Sequence, residues 1–165
     1  MVSSSFDVPE RVVHRRGWGY ERTARGVIQK AAYADVSYKY ASGGMLASCE
    51  DLVRFATAIN AGTLMKTDTR QAMHAVQVET VMAYQAKGAP VKQDFKQALA
   101  WRVSRDVTGR TYISHTGTVR GTRSVVINYP SEGVVVAMQA NMLPFDSEAH
   151  GRALAFHDVV VERVL

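Results

Sequence analysis

The sequence predicts an α+β fold: a small helical segment, then an antiparallel β-meander of about four strands, covered by a C-terminal helix. Three observations carry this. Apolar residues recur at helical spacing after Ser48 and again after Ser147. Near Leu99 the spacing switches to strand-like alternation. The strand-like runs that follow are joined by connections of only a few residues, which antiparallel neighbours allow and parallel ones do not. The chain has 165 residues, with 47% hydrophobic and 21% charged. That fits one domain of ordinary globular composition. It is read as a single partial domain over 1–165, in which 1–40 is extended and looping, 41–96 helical, and 97–165 sheet plus C-terminal helix.

Residues 1–40 show no sustained period, only weak strand character near Val12–His14. Gly43-Gly44 marks a sharp backbone feature, because paired glycines reach conformations closed to other residues. A helix follows. Ser48 can cap it, with Asp51 at the reciprocal position of a capping box. Leu52, Phe55, Ala56 and Ile59 form its buried face, and Gly62 stops it. A second, shorter helix is predicted from Asp68, with Ala72, Met73 and Val76 inward. Gly88-Ala89-Pro90 signals a loop. Leu99, Trp101 and Val103 predict the first strand, and Asp106–Gly109 a turn. Tyr112–His115, Thr122–Tyr129 and Val134–Ala140 complete the meander, with Pro130–Gly133 as the last tight turn. After Ser147, the stripe Ala149, Ala153, Phe156, Val160 and Val164 predicts a helix lying flat on a sheet face.

Composition excludes several functions. The longest unbroken apolar run, Val134–Met138, is far short of the ~18 residues of a membrane helix, so no membrane partner is expected. Met1–Arg16 has no apolar core and carries Asp7 and Glu10, unlike a signal peptide; the compartment is left undetermined. Cys49 is the single cysteine, which rules out an internal disulfide framework. The formal charge is +5, but the basic residues are dispersed and form no run, so a solvated surface is expected rather than a nucleic-acid partner.

The candidate chemistry is sparse. His14, His74, His115, His150 and His157 lack metal-ligand spacing, and neither a metal nor a cofactor is expected. Ser114 and His115 look like a nucleophile beside a base, but adjacent strand residues point to opposite faces. No G-x-S-x-G elbow is present. The sharper element is His115-Thr116-Gly117 with Thr118 after it. A basic group can attract a carboxylate, a glycine lets a ligand backbone approach, and a backbone N–H just beyond can stabilise an oxyanion.

In context these residues resemble the serine β-lactamase and penicillin-binding-protein superfamily, in its class C-like branch. Three blocks carry the likeness. Ala41–Ser48 followed by Glu50-Asp51-Leu52-Val53-Arg54-Phe55 is similar to the family's glycine-glycine helix entry. Ser114-His115-Thr116-Gly117 matches its K-T-G element, for which H-T-G is a frequent variant. Val125–Asn141, with a Tyr-Pro turn and a terminal Asn, resembles the two strands after that element, and Gly17-Trp18-Gly19-Tyr20-Glu21 also fits. The likeness is closest to serine β-lactamase-like proteases and esterases, and it covers only the C-terminal half of the family's domain.

The resemblance implies hydrolysis of an amide, ester or β-lactam through an acyl-serine. It also implies that His115 is the basic docking residue, Thr116 the docking hydroxyl, and the Thr118 N–H an oxyanion donor. Docking of a carboxylate at an imidazole weakens as pH rises through the range where imidazoles titrate, near ~6.5. The family's nucleophile belongs to S-x-x-K and its base to Y-x-N. No serine here has lysine three residues on, and no tyrosine has asparagine two residues on. The expectation is therefore a polypeptide inactive alone, with no catalytic residue of its own. A non-catalytic module for a peptide-like, β-lactam-like or cell-wall ligand is the alternative. In the family, further strands pair beside the last strand of the meander. Without them Val134–Ala140 would be an apolar sheet edge, which predicts a homodimer.

Overall fold

The computed structural model describes residues 1–83 and 91–142, which form a mixed α/β structure with two α-helices and antiparallel sheets. In chain order these are β1 (Ser5–Phe6), β2 (Tyr20–Arg22), β3 (Ile28–Lys30), β4 (Met45–Leu46), α1 (Cys49–Asn60), α2 (Thr67–His74), β5 (Met82–Ala83), β6 (Val91–Lys92), β7 (Lys96–Gln97), β8 (Arg102–Arg105), β9 (Thr111–Val119), β10 (Thr122–Tyr129) and β11 (Val134–Ala140). The largest sheet has the order β11-β10-β9-β8-β7, a meander of five strands. The expected C-terminal helix and the Gly88-Ala89-Pro90 loop lie outside the described residues. No helix among those residues is long and apolar enough to cross a membrane.

The chain divides into two compact units. The first holds Cys49–His115 and Val125–Ala137; the second holds Val2–Ser48, Thr116–Ser124 and the segment from Met138.

The core of the first unit is built from Ile59, Ala98, Trp101 and Ile113, with Met65, Met73, Val103 and Val126 packed around them. Helix α1 contributes Ala56 and Ile59 to the interior. Phe55, expected on the same face, is exposed instead. The fully buried polar group of the first turn is Asp51, which accepts a hydrogen bond from Arg54 Nη1 at 3.1 Å. The helix ends as Gly62 predicts. Gly62 has φ +72°, its N–H donates to Ile59 O, and the Thr63 N–H donates to Ala58 O, the two bonds of a Schellman motif. Helix α2 starts one residue before the predicted Asp68. Its N-cap is Lys66, which makes no side-chain cap bond, and Asp68 sits in the first turn.

Residues 98–101 correct the predicted first strand. They form the turn of a hairpin between β7 and β8, closed by the Ala98 N–H on Trp101 O at 2.8 Å. The Gln97 side-chain amide donates to Ala98 O and Trp101 O and fixes that turn. The alternation of Leu99 with Trp101 therefore reflects an exposed turn residue and a buried core residue. The turn at 106–110 is held by one carboxylate. Asp106 Oδ1 accepts from the Thr108 and Arg110 N–H groups, both at 2.9 Å, and Oδ2 accepts from Arg110 Nε at 2.8 Å.

In the second unit β1 pairs with β4 and β2 with β3, both antiparallel. The Tyr20 N–H donates to Asn141 O at 2.7 Å, so the terminal Asn of the predicted pattern anchors the glycine-tryptophan segment by its backbone. No strand forms at Val12–His14. The chain turns there, with the Arg16 N–H on Val13 O and Arg15 at φ 61°. Of the paired glycines only Gly44 is required, and for space rather than conformation. Neither Gly43 nor Gly44 has a left-handed φ. At Gly44 a Cβ would lie 2.6 Å from the Tyr40 ring and 2.8 Å from Val36 O.

Candidate functional site

His115, Thr116, Gly117 and Thr118 all lie on β9, which runs on to Val119 rather than stopping near His115. Pairing with β8 covers Thr111 to Ser114, the last of these opposite Arg102, so the four residues run past the end of that pairing. Strand alternation puts His115 and Gly117 on one face with Ile113, and Thr116 and Thr118 on the other with Ser114. Adjacent in the chain, the side chains of His115 and Thr116 thus leave the strand in opposite directions. The same alternation separates Ser114 from His115. His115 and Thr118 are exposed; Thr116 and Gly117 are half-buried.

A Cβ at position 117 would approach Ser124 Oγ on the neighbouring strand to 2.9 Å, so that hydroxyl would have to turn aside. Gly121, at φ +73°, makes the two-residue turn into β10 possible. It also packs on Gly19, where a Cβ would meet Arg120 O at 2.7 Å.

The second unit also holds an arginine clamp that no periodicity announces. Arg16 makes a two-pronged ion pair with the buried Asp7, with Nη2 on Oδ2 at 2.7 Å and Nη1 on Oδ1. Its guanidinium lies 5.2 Å from the Trp18 ring centre and 5.5 Å from that of Tyr33. Lys30 Nζ sits 3.3 Å over Trp18. Asp7, Arg16, Trp18 and Tyr33 line a cavity of about 120 Å³ that reaches Val119, Arg120 and Thr122. Their sequence signal was Gly17-Trp18-Gly19-Tyr20 alone; Asp7, Lys30 and Tyr33 come from separate segments. Among the described residues no group of three His, Cys, Asp or Glu side chains is placed to hold a metal ion.

Residues 1–159 match the beta-lactamase family. The chain belongs to that family. Its curated relatives include the mitochondrial serine beta-lactamase-like protein LACTB of mouse and of human, each 26% identical over 177 residues. The match takes in 86% of this chain and 31% of the relative, so the chain spans about a third of the length of those relatives. Among solved structures it is similar in fold to a D-amino acid amidase from Ochrobactrum anthropi SV3, with TM-score 0.70, 16% identity, and coverage of 99% of this chain and 50% of that one. A penicillin-binding protein from Bacillus halodurans superposes with TM-score 0.65, again at 16% identity, covering 92% of this chain and 44% of that one. The chain thus shares its fold with part of a D-amino acid amidase and part of a penicillin-binding protein.

Proposed function

We propose that these residues form the substrate-docking half of an acyl-serine hydrolase and do not hydrolyse substrate alone. His115 offers positive charge from one face of β9 and Thr116 a hydroxyl from the other, so a ligand carboxylate meets both only along the strand edge that runs past the pairing with β8, with the Thr118 N–H as a donor to the developing oxyanion. The substrate class is an amide, ester or β-lactam bearing a carboxylate. The observation that carries the reading is a family match over residues 1–159 in a sequence that contains H-T-G but neither S-x-x-K nor Y-x-N. Loss of the nucleophile in such mechanisms costs about 10⁶ in rate. The purified 165-residue polypeptide, treated with a fluorescent penicillin and with a fluorophosphonate, is expected to take up no stoichiometric label. Labelling that maps to one of its serines would overturn the reading.

The same reading predicts self-association. Among the described residues β11 is the terminal strand of its sheet and carries the apolar run Val134–Met138. A second copy, paired strand to strand across a two-fold axis, would cover that edge. Light scattering is expected to give twice the chain mass of 18.2 kDa; a monomer at micromolar concentration would sink the dimer.

A further inference from the structure

The first unit contains a second, unrelated cavity of about 220 Å³, lined by Asn60, Arg70, His74, Pro130 and Ser131. At the ~30 Å³ that a water molecule occupies in the liquid, this space admits a group several waters in size. Its lining is one guanidinium, one imidazole, one carboxamide and one hydroxyl, with no carboxylate. None of the residues matched to the K-T-G element lines it.

The donors are unevenly used. Arg70 spends Nη1 on the end of α1, donating to Asn60 O and, at 3.4 Å, to Ile59 O. That bond fixes the guanidinium at the cavity wall. Nε and Nη2 have no acceptor among the described residues. His74 stands edge-on to Trp101, with ring centres 6.4 Å apart, and its Nε2 is buried without a hydrogen-bond partner. The Asn60 amide is occupied by Asn128, so it shapes the wall without competing for a ligand. Glu132 is the nearest acidic residue in sequence; it is exposed and lies outside the lining.

We propose that this cavity binds a small oxyanion, a carboxylate or phosphate group, between the Arg70 guanidinium and His74 Nε2, with the Ser131 hydroxyl as a further donor. A planar fork of N–H donors and an unsatisfied ring nitrogen, on two residues that line the same cavity, match two oxygens of one such group. Burial, and secondarily the charge of Arg70, holds the imidazole below its ordinary titration range. An anion seated between them removes that repulsion. Water alone would satisfy the donors but leave the guanidinium charge unanswered.

The test is a titration of the folded chain with inorganic phosphate, and separately with acetate, at constant ionic strength against sodium chloride. The readout is the His74 side-chain resonances together with thermal stability. A saturable His74 shift and a concentration-dependent rise in Tm with phosphate assign the site to phosphate groups; the same response to acetate assigns it to carboxylates. H74Q and R70K are expected to weaken binding about tenfold, the worth of one charge-assisted hydrogen bond. R70K retains a cation, and circular dichroism checks its fold. S131A, on an exposed turn, provides a variant that leaves the α1 terminus intact, and a smaller weakening is expected. A response matched by chloride, no saturation with either anion, or affinities unchanged in all three variants would overturn the proposal.

Discussion

Asn60 and Asn128 exchange both of their side-chain hydrogen bonds: each Nδ2 donates to the other's Oδ1, at 2.8 and 2.9 Å, across 68 residues of chain. The pair ties the last residue of α1 to the end of β10. Asn128 is fully buried, so its amide can be satisfied only within the protein. Replacing Asn128 with Leu removes one partner and strands the other, and is expected to cost about 2 kcal/mol by urea denaturation. Asn60→Ala and Asn128→Ala, alone and combined, should show a coupling of about 1 kcal/mol. Strictly additive losses would mean that the two amides act independently.

A second prediction separates the two adjacent glycines. Gly43 is exposed, and a Cβ there would meet only the flexible Lys39 side chain, at 3.5 Å or more. Gly43→Ala is expected within about 0.5 kcal/mol of the parent. Gly44 is buried against the Tyr40 ring and Val36 O. Gly44→Ala is expected to lose about 2 kcal/mol or more, because a backbone carbonyl must move. Equal effects at the two positions would restore the conformational explanation that the sequence invites.

That contrast shows what the sequence could and could not carry. The bounds of β10 and β11 were legible because long β-branched runs meet a Pro-Ser-Glu-Gly turn, and α1 because its 3.6-residue period meets Gly62. The turn at 98–101 was not, since Leu99, Trp101 and Val103 alternate alike in a strand and in a hairpin. The deciding contact is the Gln97 side chain on two carbonyls, which has no pattern of its own. Val12–His14 has strand composition, yet the following residue takes φ 61° and Arg16 is drawn to Asp7. The clamp around Arg16 was not legible, because its partners converge only in three dimensions.

Gly62 supplies a third prediction, in which space is not the issue. A Cβ there would find its nearest neighbour, Arg70 Nη1, at 3.7 Å, an ordinary contact. The cost of Gly62→Ala is therefore that of a left-handed backbone, about 1–2 kcal/mol. Gly62→Asn should recover part of it, since Asn tolerates that region better. Thermal unfolding of both variants checks the order Gly, Asn, Ala; an alanine variant as stable as the parent would contradict the Schellman assignment.

The proposed docking role of His115 predicts a charge effect on ligand binding. Noncovalent binding of benzylpenicillin, followed by calorimetry, should weaken about tenfold in His115→Ala, the loss of one charge-assisted hydrogen bond. His115→Lys should retain binding, and retain it at alkaline pH, because an ammonium stays charged where an imidazole does not. Thermal unfolding and circular dichroism of both variants check that β9 keeps its fold. Unchanged affinity in the alanine variant would remove His115 from the site.

The turn at Asp106 predicts a signature in acid. Burial works to raise the pKa of this carboxyl, but the Thr108 hydroxyl, the Arg110 side chain and two backbone N–H groups all donate to the ionised form and bring it down to about 2. The unfolded carboxyl titrates near ~3.9. Because the folded pKa is the lower one, the unfolded chain binds the proton more readily, and stability falls as pH falls. The contribution is fully present above the unfolded value and is lost between there and about pH 2. Asp106→Asn keeps the size of the side chain but cannot accept the same donors. It should unfold at lower urea than the parent at neutral pH, and the gap should narrow as pH drops through that window. A gap that stays constant down to about pH 2 would show that the carboxylate charge does not hold the turn.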